Sequence, residues 1–447
     1  MPPPNCDRVR LVKFKPMLAA VAVAAVALLP GCLTSPAEKP LFQFDFGSAQ
    51  SLSGATPVSP DMVYGKDRGF GFEPGAAVTA GPRGVASDKP FFFSVKVPAE
   101  GNYRVTVTLG DATAESTTTV KAELRRLMVE QLHTARGQFK TVSFIVNTRT
   151  PRIAAVGNIK AGVVKLKAPR ETTQEAWGWD DLLTLEFDGA HPSVSVVEIA
   201  RADVPTVFLI GDSTVCDQSK EPYSSWGQSL TRFFKPDVAI ANHGESGETY
   251  RDSIGRRRLD KMLSVMKPGD YLFMQFGHND QKQIAAGTGG PFTTYKAEIK
   301  QHVDAVRAHG GTPVIVSPME RRNFDEHAKL KPSLADYAEA SRQAARELGV
   351  AFIDLNAMSI RFYEALEAHG PDYSRRAFAG QDNTHHDNYG SYELAKCIVQ
   401  GIRDNRLPLA GHIVENFKGF DPAHPDDVEQ FALPPSPNFT NQRPLGD

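Results

Sequence analysis

The sequence predicts two architectures in succession: an all-β sandwich over 41–204, then an α/β domain with a parallel sheet over 205–412. Three observations carry this. Short alternating segments recur at 41–46, 91–97, 103–109, 141–146, 162–167 and 182–187, with Gly, Pro, Asn and Asp between them, the pattern of half-buried strands joined by turns. After Pro205 apolar strands at 206–210, 238–241, 271–276, 313–316 and 351–354 alternate with helical spacing at 295–308, 334–348 and 389–403, which means a parallel sheet covered on both faces. The chain is also long enough for two cores, with 447 residues of which 41% are hydrophobic.

The elements in front of the sandwich read as export signals. Arg8, Arg10, Lys13 and Lys15 form a basic start, followed by an unbroken small apolar run at 17–29. That run is too short for an ordinary membrane-spanning helix, which needs about 20 residues. It ends in Leu29-Pro30-Gly31-Cys32, which resembles the bacterial lipobox, although Pro30 is an unusual residue there. The reading is a lipoprotein-type signal peptide over 1–32 with Cys32 as the lipidated residue. Contact with a membrane is then expected only through the lipid, and the protein is expected on the extracytoplasmic side, in the periplasm or at the cell surface. A cleaved secretory signal with an incidental cysteine is the other reading. Residues 33–40 form a polar tether.

Within the β region, 120–132 carries helical spacing and stands apart from its surroundings. The abrupt change at Pro205 predicts two cores with few shared elements. The segment 413–447, rich in Pro, Asn and Asp, reads as an irregular tail over the surface.

Charge and cysteines exclude several classes. A formal net charge of -2 and a pI near 6.6 leave no global pull toward nucleic acid or an anionic membrane. The four cysteines, Cys6, Cys32, Cys216 and Cys397, form no CxxC pair, so neither a zinc ribbon nor a disulfide scaffold is indicated. Cys397 lies twelve residues beyond His385, well down a helix that rises about 1.5 Å per residue. Cys216 and Cys397 are therefore expected to be free and buried.

The chemistry collects at strand ends. Gly211-Asp212-Ser213 follows the first strand of the α/β part, where sites gather in open parallel sheets. A serine at that turn, near the start of a helix, exposes its hydroxyl beside backbone N–H groups able to stabilise an oxyanion. Gly277-His278-Asn279-Asp280 follows another apolar strand, and Asn242-His243-Gly244-Glu245-Ser246-Gly247 a third. Asp382 and His385 stand three residues apart just before the last helix. That offset lets the carboxylate fix the imidazole tautomer, so that His385 takes the serine proton.

These blocks, in this order, resemble the SGNH (GDSL-type) hydrolases. The resemblance implies a flavodoxin-like three-layer fold, with Ser213 as nucleophile and His385 and Asp382 as its partners. It also implies Ser213, Gly247 and Asn279 as oxyanion donors, with no metal and no organic cofactor. Trp226-Gly227-Gln228, the Phe273–Asp280 stretch and Asp382-Asn383-Thr384-His385 are similar to the rhamnogalacturonan acetylesterases. Phe44-Asp45-Phe46-Gly47 and Arg68-Gly69-Phe70-Gly71-Phe72 resemble the galactose-binding-like sandwich that precedes some bacterial members. One departure touches sugar specificity: Glu248-Thr249 stands where many members have Arg-Ser.

Other residues have two readings each. Arg321 and Arg322 either grip a uronate carboxylate in bidentate fashion or make a structural ion pair. Trp226 is either a platform for a sugar ring or core. Asp212 reads as a turn stabiliser, and His278 as a hydrogen-bonded neighbour of the site. His385-His386-Asp387 has the composition of a metal site, but adjacent residues at a helix start point apart and no H-x-x-x-H follows.

The resemblance implies hydrolysis of O-acetyl esters on a plant cell-wall polysaccharide, pectic in the first place, so the expected partner is an acetylated polysaccharide or oligosaccharide. The alternatives are another SGNH esterase (xylan acetylesterase, lipase-like or arylesterase) and a carbohydrate-binding surface protein with an idle hydrolase domain.

Overall fold

Two five-stranded sheets lie face to face in the first half of the chain and enclose one aromatic-rich core. One runs Lys140–Thr148, Gly101–Leu109, Val196–Arg201, Phe42–Asp45, Thr56–Pro57; the other Phe70–Phe72, Phe91–Lys96, Leu182–Ala190, Ser116–Ala122, Arg126–Thr134. Alternation places Tyr103, Val105, Val107 and Leu109 inward against Phe93, Val95, Leu185 and Phe187 of the facing sheet. This computed structural model describes Met1 and residues 39–47, 53–438 and 440–444. The readings of the signal segment, of Cys6 and Cys32 and of most of the tether fall outside the described residues. No helix among the described residues is long and apolar enough to cross a membrane.

The 120–132 stretch is not helical. Ser116–Ala122 and Arg126–Thr134 are antiparallel strands, and register shifts fall between Thr118 and Lys121. A bulge interrupts the alternation of two, so the apolar positions come to lie at a spacing that imitates a helix. Glu123 and Arg125 take φ of 57° and 62° at the turn between them.

The second half is a five-stranded parallel sheet, in spatial order Ala239–Asn242, Thr206–Gly211, Tyr271–Gln275, Thr312–Val316, Ala351–Ile353. This 2-1-3-4-5 order is flavodoxin-like. Val207, Leu209, Phe273, Val314 and Val316 point to one face, under helices Leu355–Glu367 and Asn388–Asp404. Phe208, Ile210, Leu272, Met274 and Ile315 point to the other, under Lys296–Ala308 and Ala335–Leu348. The helix Leu355–Glu367 is additional to those the spacing predicted. It is started by Asp354, whose carboxylate accepts from Ala357 N at 3.2 Å.

The two halves share far more than the change of pattern at Pro205 predicts. Glu38–Asp447 is one compact unit. Of the predicted strand 162–167 only Gly162–Val163 pairs, with Arg152–Ile153, and Ile153, Ile159, Val164 and Trp179 join the core of the α/β part. Leu127 packs into the core on the other face of the sheet. Ion pairs cross as well: Arg125–Glu221 at 2.5 Å and Arg126–Asp217 at 3.3 Å, both buried, and Lys261 with the half-buried Glu100 at 2.7 Å. The irregular tail wraps back over both, with Lys121 Nζ donating to Pro434 O at 2.8 Å and Thr440 N to Glu221 O at 2.6 Å.

Candidate active site

Three strand ends converge at the switch point of the sheet. After Thr206–Gly211 the chain makes a tight turn, with Val215 N and Cys216 N both donating to Asp212 O at 3.0 Å. The expected helix start is absent here: the next helix is Trp226–Leu230, and Ser213 sits in the turn. Asp212 holds that turn. Its carboxylate accepts from Thr214 N at 3.0 Å and Thr214 Oγ1 at 2.7 Å, and lies 3.3 Å from His278 Nδ1. Burial raises its pKa, but His278 and the Thr214 bonds hold it below the ordinary carboxylate value.

The Ser213, His385 and Asp382 side chains form one continuous chain of contacts. His385 Nε2 is 2.8 Å from Ser213 Oγ, and His385 Nδ1 is 3.0 Å from Asp382 Oδ2. Thr384 N and His385 N donate to Asp382 Oδ1 at 2.7 and 3.0 Å. Burial pushes the Asp382 carboxyl up, yet the hydrogen bond and charge of His385 and these two N–H groups hold it well below the usual range. An ionised carboxylate only accepts, so Nδ1 carries the ring proton and Nε2 faces the Ser213 hydroxyl as acceptor. Arg443 Nε, from the tail, reaches Asp382 Oδ2 at 3.3 Å. The Tyr223 ring stands edge-on to His385 at 5.9 Å between centroids.

The loop that carries Gly247 meets Asn279. Gly247 has φ of +74°, a backbone conformation that favours glycine. Asn279 Nδ2 donates to Glu248 O at 3.3 Å, which places its amide against the residue following Gly247. Glu245 N donates to Gly211 O at 2.9 Å, tying this loop to the Ser213 turn. Glu248 is buried and turned inward, accepting from Arg258 Nε at 2.9 and 2.8 Å. Thr249 caps the helix Tyr250–Gly255 in a reciprocal pair with Asp252. The departure from Arg-Ser at these positions therefore serves packing and capping.

The structure corrects two of the substrate-binding readings. Trp226 is 1% exposed, and its indole N–H donates to Gln275 Oε1 at 2.8 Å while Gln275 Nε2 donates to Thr214 Oγ1 at 2.7 Å. It supports the Ser213 turn from within the core and offers no face to a sugar. Arg322 is buried against Asp372 at 2.6 Å and Glu367 at 3.4 Å, partners far away in sequence that consume its fork. Arg321 is half-buried, donating to Gln281 Oε1 at 2.8 Å and His278 O at 3.2 Å. His386 turns away from His385 and contacts Tyr363 OH at 2.7 Å; burial and then His385 push it down to about 3. Among the described residues no group of three or more His, Cys, Asp or Glu side chains is arranged to hold a metal ion. Cys216 and Cys397 are free and buried, as expected.

A cleft without a signature in the sequence opens beside the site. Its walls include Tyr223, Gln218, Lys220 and Arg170, with Thr440, Gln442 and Arg443 of the tail. Gln218 Nε2 donates to Ser213 O at 2.6 Å, so this wall is contiguous with the serine turn. No carboxylate lines the cleft among the described residues. Arg170 is spent on Glu175 and Glu245. The cations turned to the cleft are Lys220, without an ion pair among the described residues, and Arg443, whose side chain is 55% exposed. Lys220 stands seven residues past the serine in an irregular loop, and Arg443 comes from the tail; neither carries a motif that marks it.

Residues 209–390 match the GDSL-like Lipase/Acylhydrolase family. The chain is 36% identical over 223 residues to the rhamnogalacturonan acetylesterase RhgT of Bacillus subtilis strain 168, a match covering 46% of this chain and 94% of that protein. It is 32% identical over 212 residues to the probable rhamnogalacturonan acetylesterase YesY of the same bacterium, covering 47% of this chain and 97% of that one. The uncharacterized esterase YxiM, also of B. subtilis, is 26% identical over 423 residues, which are 89% of this chain and 100% of the other. That similarity reaches into the β-rich half. This chain belongs to the GDSL-like lipase/acylhydrolase (SGNH) family and is a carboxylic ester hydrolase.

Proposed function

We propose that this esterase removes O-acetyl groups from an acidic plant cell-wall polysaccharide, rhamnogalacturonan in the first place. The observation that carries the reading is the cleft beside Ser213, which presents Lys220 and Arg443 and, among the described residues, no carboxylate. Such a surface favours a sugar chain bearing carboxylates and disfavours none of its neutral parts. The names of RhgT and YesY support the same substrate.

In this reading Ser213 Oγ attacks the acetyl carbonyl while His385 Nε2 takes its proton. The oxyanion is met by the N–H groups of Ser213 and Gly247 and the Asn279 amide. Collapse breaks the ester C–O bond, and His385 returns the proton to the departing sugar oxygen. Water then attacks acetyl-Ser213 by the same route, releasing acetate. Asp382 orients the imidazole and stabilises its charged form. The enzyme is exported and held on the extracytoplasmic side by lipid on Cys32; acyl chains on Cys32 in the intact mass of the native protein are the expected result.

The test is acetate release from acetylated pectin, xylan and mannan under identical conditions. Preference for the acidic polymer supports the reading, whereas higher kcat/KM on xylan moves the enzyme to the xylan acetylesterases. No release from any of the three leaves a small-ester hydrolase.

A further inference from the structure

The Gly247 N–H and the Ser246 carbonyl belong to the same peptide unit. A trans peptide is planar, with its C=O and N–H pointing in opposite directions, so whatever grips the carbonyl aims the N–H. At Gly247, with φ of +74°, no Cβ resists rotation of that plane. An external hold is needed if the N–H is to stay in one direction.

The hold comes from the β-rich half of the chain. Lys167 Nζ donates a short hydrogen bond to Ser246 O, and its side chain is only 15% exposed. It also lies 3.7 Å from Glu248 Oε1, so it touches the residues on both sides of Gly247. Arg170 Nη2 donates to Ser246 Oγ at 2.8 Å and fixes the same residue through its side chain. Lys167 and Arg170 both lie outside the 209–390 family match. A donor on a carbonyl also polarises the whole amide, which makes its N–H the stronger donor.

We propose that Lys167 is a positioning residue for the oxyanion donor Gly247, supplied by the β-rich region. This rests on the oxyanion role given to Gly247 above. Lys167 aims an interaction made mainly in the transition state, so its loss lowers kcat and spares KM.

The experiment uses the full chain carrying Lys167→Ala, Lys167→Met and Lys167→Arg, with Gly247→Ala alongside, assayed on 4-nitrophenyl acetate. Met keeps the apolar stem and guards against a folding defect, which thermal melting monitors. Lys167→Ala and Lys167→Met should lose about tenfold in kcat with KM within about twofold, less than the 10²–10³ lost when an oxyanion donor is removed outright. Lys167→Arg should recover most of the loss, and added methylammonium should restore part of the activity of Lys167→Ala. A kcat within twofold of wild type in both Lys167→Ala and Lys167→Met, or a loss that tracks the unfolded fraction and resists rescue, overturns the proposal. Should Gly247→Ala still lose kcat in that case, the oxyanion reading survives without Lys167. Should Gly247→Ala also keep its kcat, the oxyanion reading of Gly247 falls, and the proposal with it.

Discussion

Arg126 and Asp217 form an ion pair across the two halves of the molecule, 3.3 Å apart with side chains 0% and 3% exposed. Arg126 lies in a sandwich strand and Asp217 four residues past Ser213. Arg125 and Glu221 repeat the arrangement beside them, and Arg258 meets Glu171 at 2.6 Å. A truncated chain starting at Arg201 leaves Asp217 and Glu221 without these cations and Arg258 with Glu248 as its remaining carboxylate. An orphaned buried charge costs about 3–5 kcal/mol, and two together approach a typical total stability of roughly 5–15 kcal/mol. The truncated chain should be insoluble, or melt without cooperativity, and be inactive on 4-nitrophenyl acetate. A monodisperse fragment with full activity would show that these pairs are dispensable.

Asp382→Asn should cost nearly as much as Ser213→Ala or His385→Ala, about four orders of magnitude in kcat. Thr384 N and His385 N both donate to Oδ1, so the amide oxygen takes that place and the NH2 group faces Nδ1. The ring then keeps its proton on Nε2, which faces Ser213 and no longer accepts. In the wild type the Asp382 carboxylate stays ionised well into acid. Its stabilising effect is present above the ordinary carboxylate range and is lost only in strong acid. The acid limb of kcat/KM therefore belongs to His385, which stops acting as base once protonated. Near-normal turnover by Asp382→Asn at neutral pH would remove the tautomer argument.

Glu123 sits in the buried turn between two sandwich strands. Burial pushes its carboxyl from 4.5 up to about 8, against the pull of Arg126 and the Thr184 N–H. The folded state binds this proton more tightly than the unfolded chain. Its contribution to stability is therefore complete below about 4.5, falls through the interval up to about 8, and is gone above it. Glu123→Gln keeps the Thr184 bond and removes the titration. Its Tm should equal wild type near pH 5 and exceed it near pH 8.5; a difference that does not change with pH would contradict the assignment.

Lys220 and Arg322 should separate binding from structure. Lys220→Glu places a carboxylate in the cleft, so the ratio of kcat/KM on acidic to neutral acetylated oligosaccharides should fall about tenfold, and by less at high salt. Arg322→Ala leaves Glu367 buried without its cation, so Tm should fall while that ratio stays put. A ratio that follows Arg322 and ignores Lys220 would restore the sequence reading.

What the sequence determined by itself was local. Gly211-Asp212-Ser213, Gly247, Asn279 and the Asp382–His385 offset are short motifs at strand ends, and the apolar strands alternating with helices specified a doubly covered parallel sheet. The fate of Trp226 and Arg322 was decided by partners 49, 45 and 50 residues away, Gln275, Glu367 and Asp372. The extra residues between 127 and 132, set against 118–121, disguised a strand as a helix because period is read along one chain, while register belongs to two. Only the tertiary structure brought Lys167 to the Ser246 carbonyl, 79 residues on, and Arg443 to Asp382. Spacing encodes which side chains share a face of one element. Which buried charges find one another depends on how separate elements pack, and burial makes each such pairing obligatory because an unpaired charge in the interior is too costly to keep.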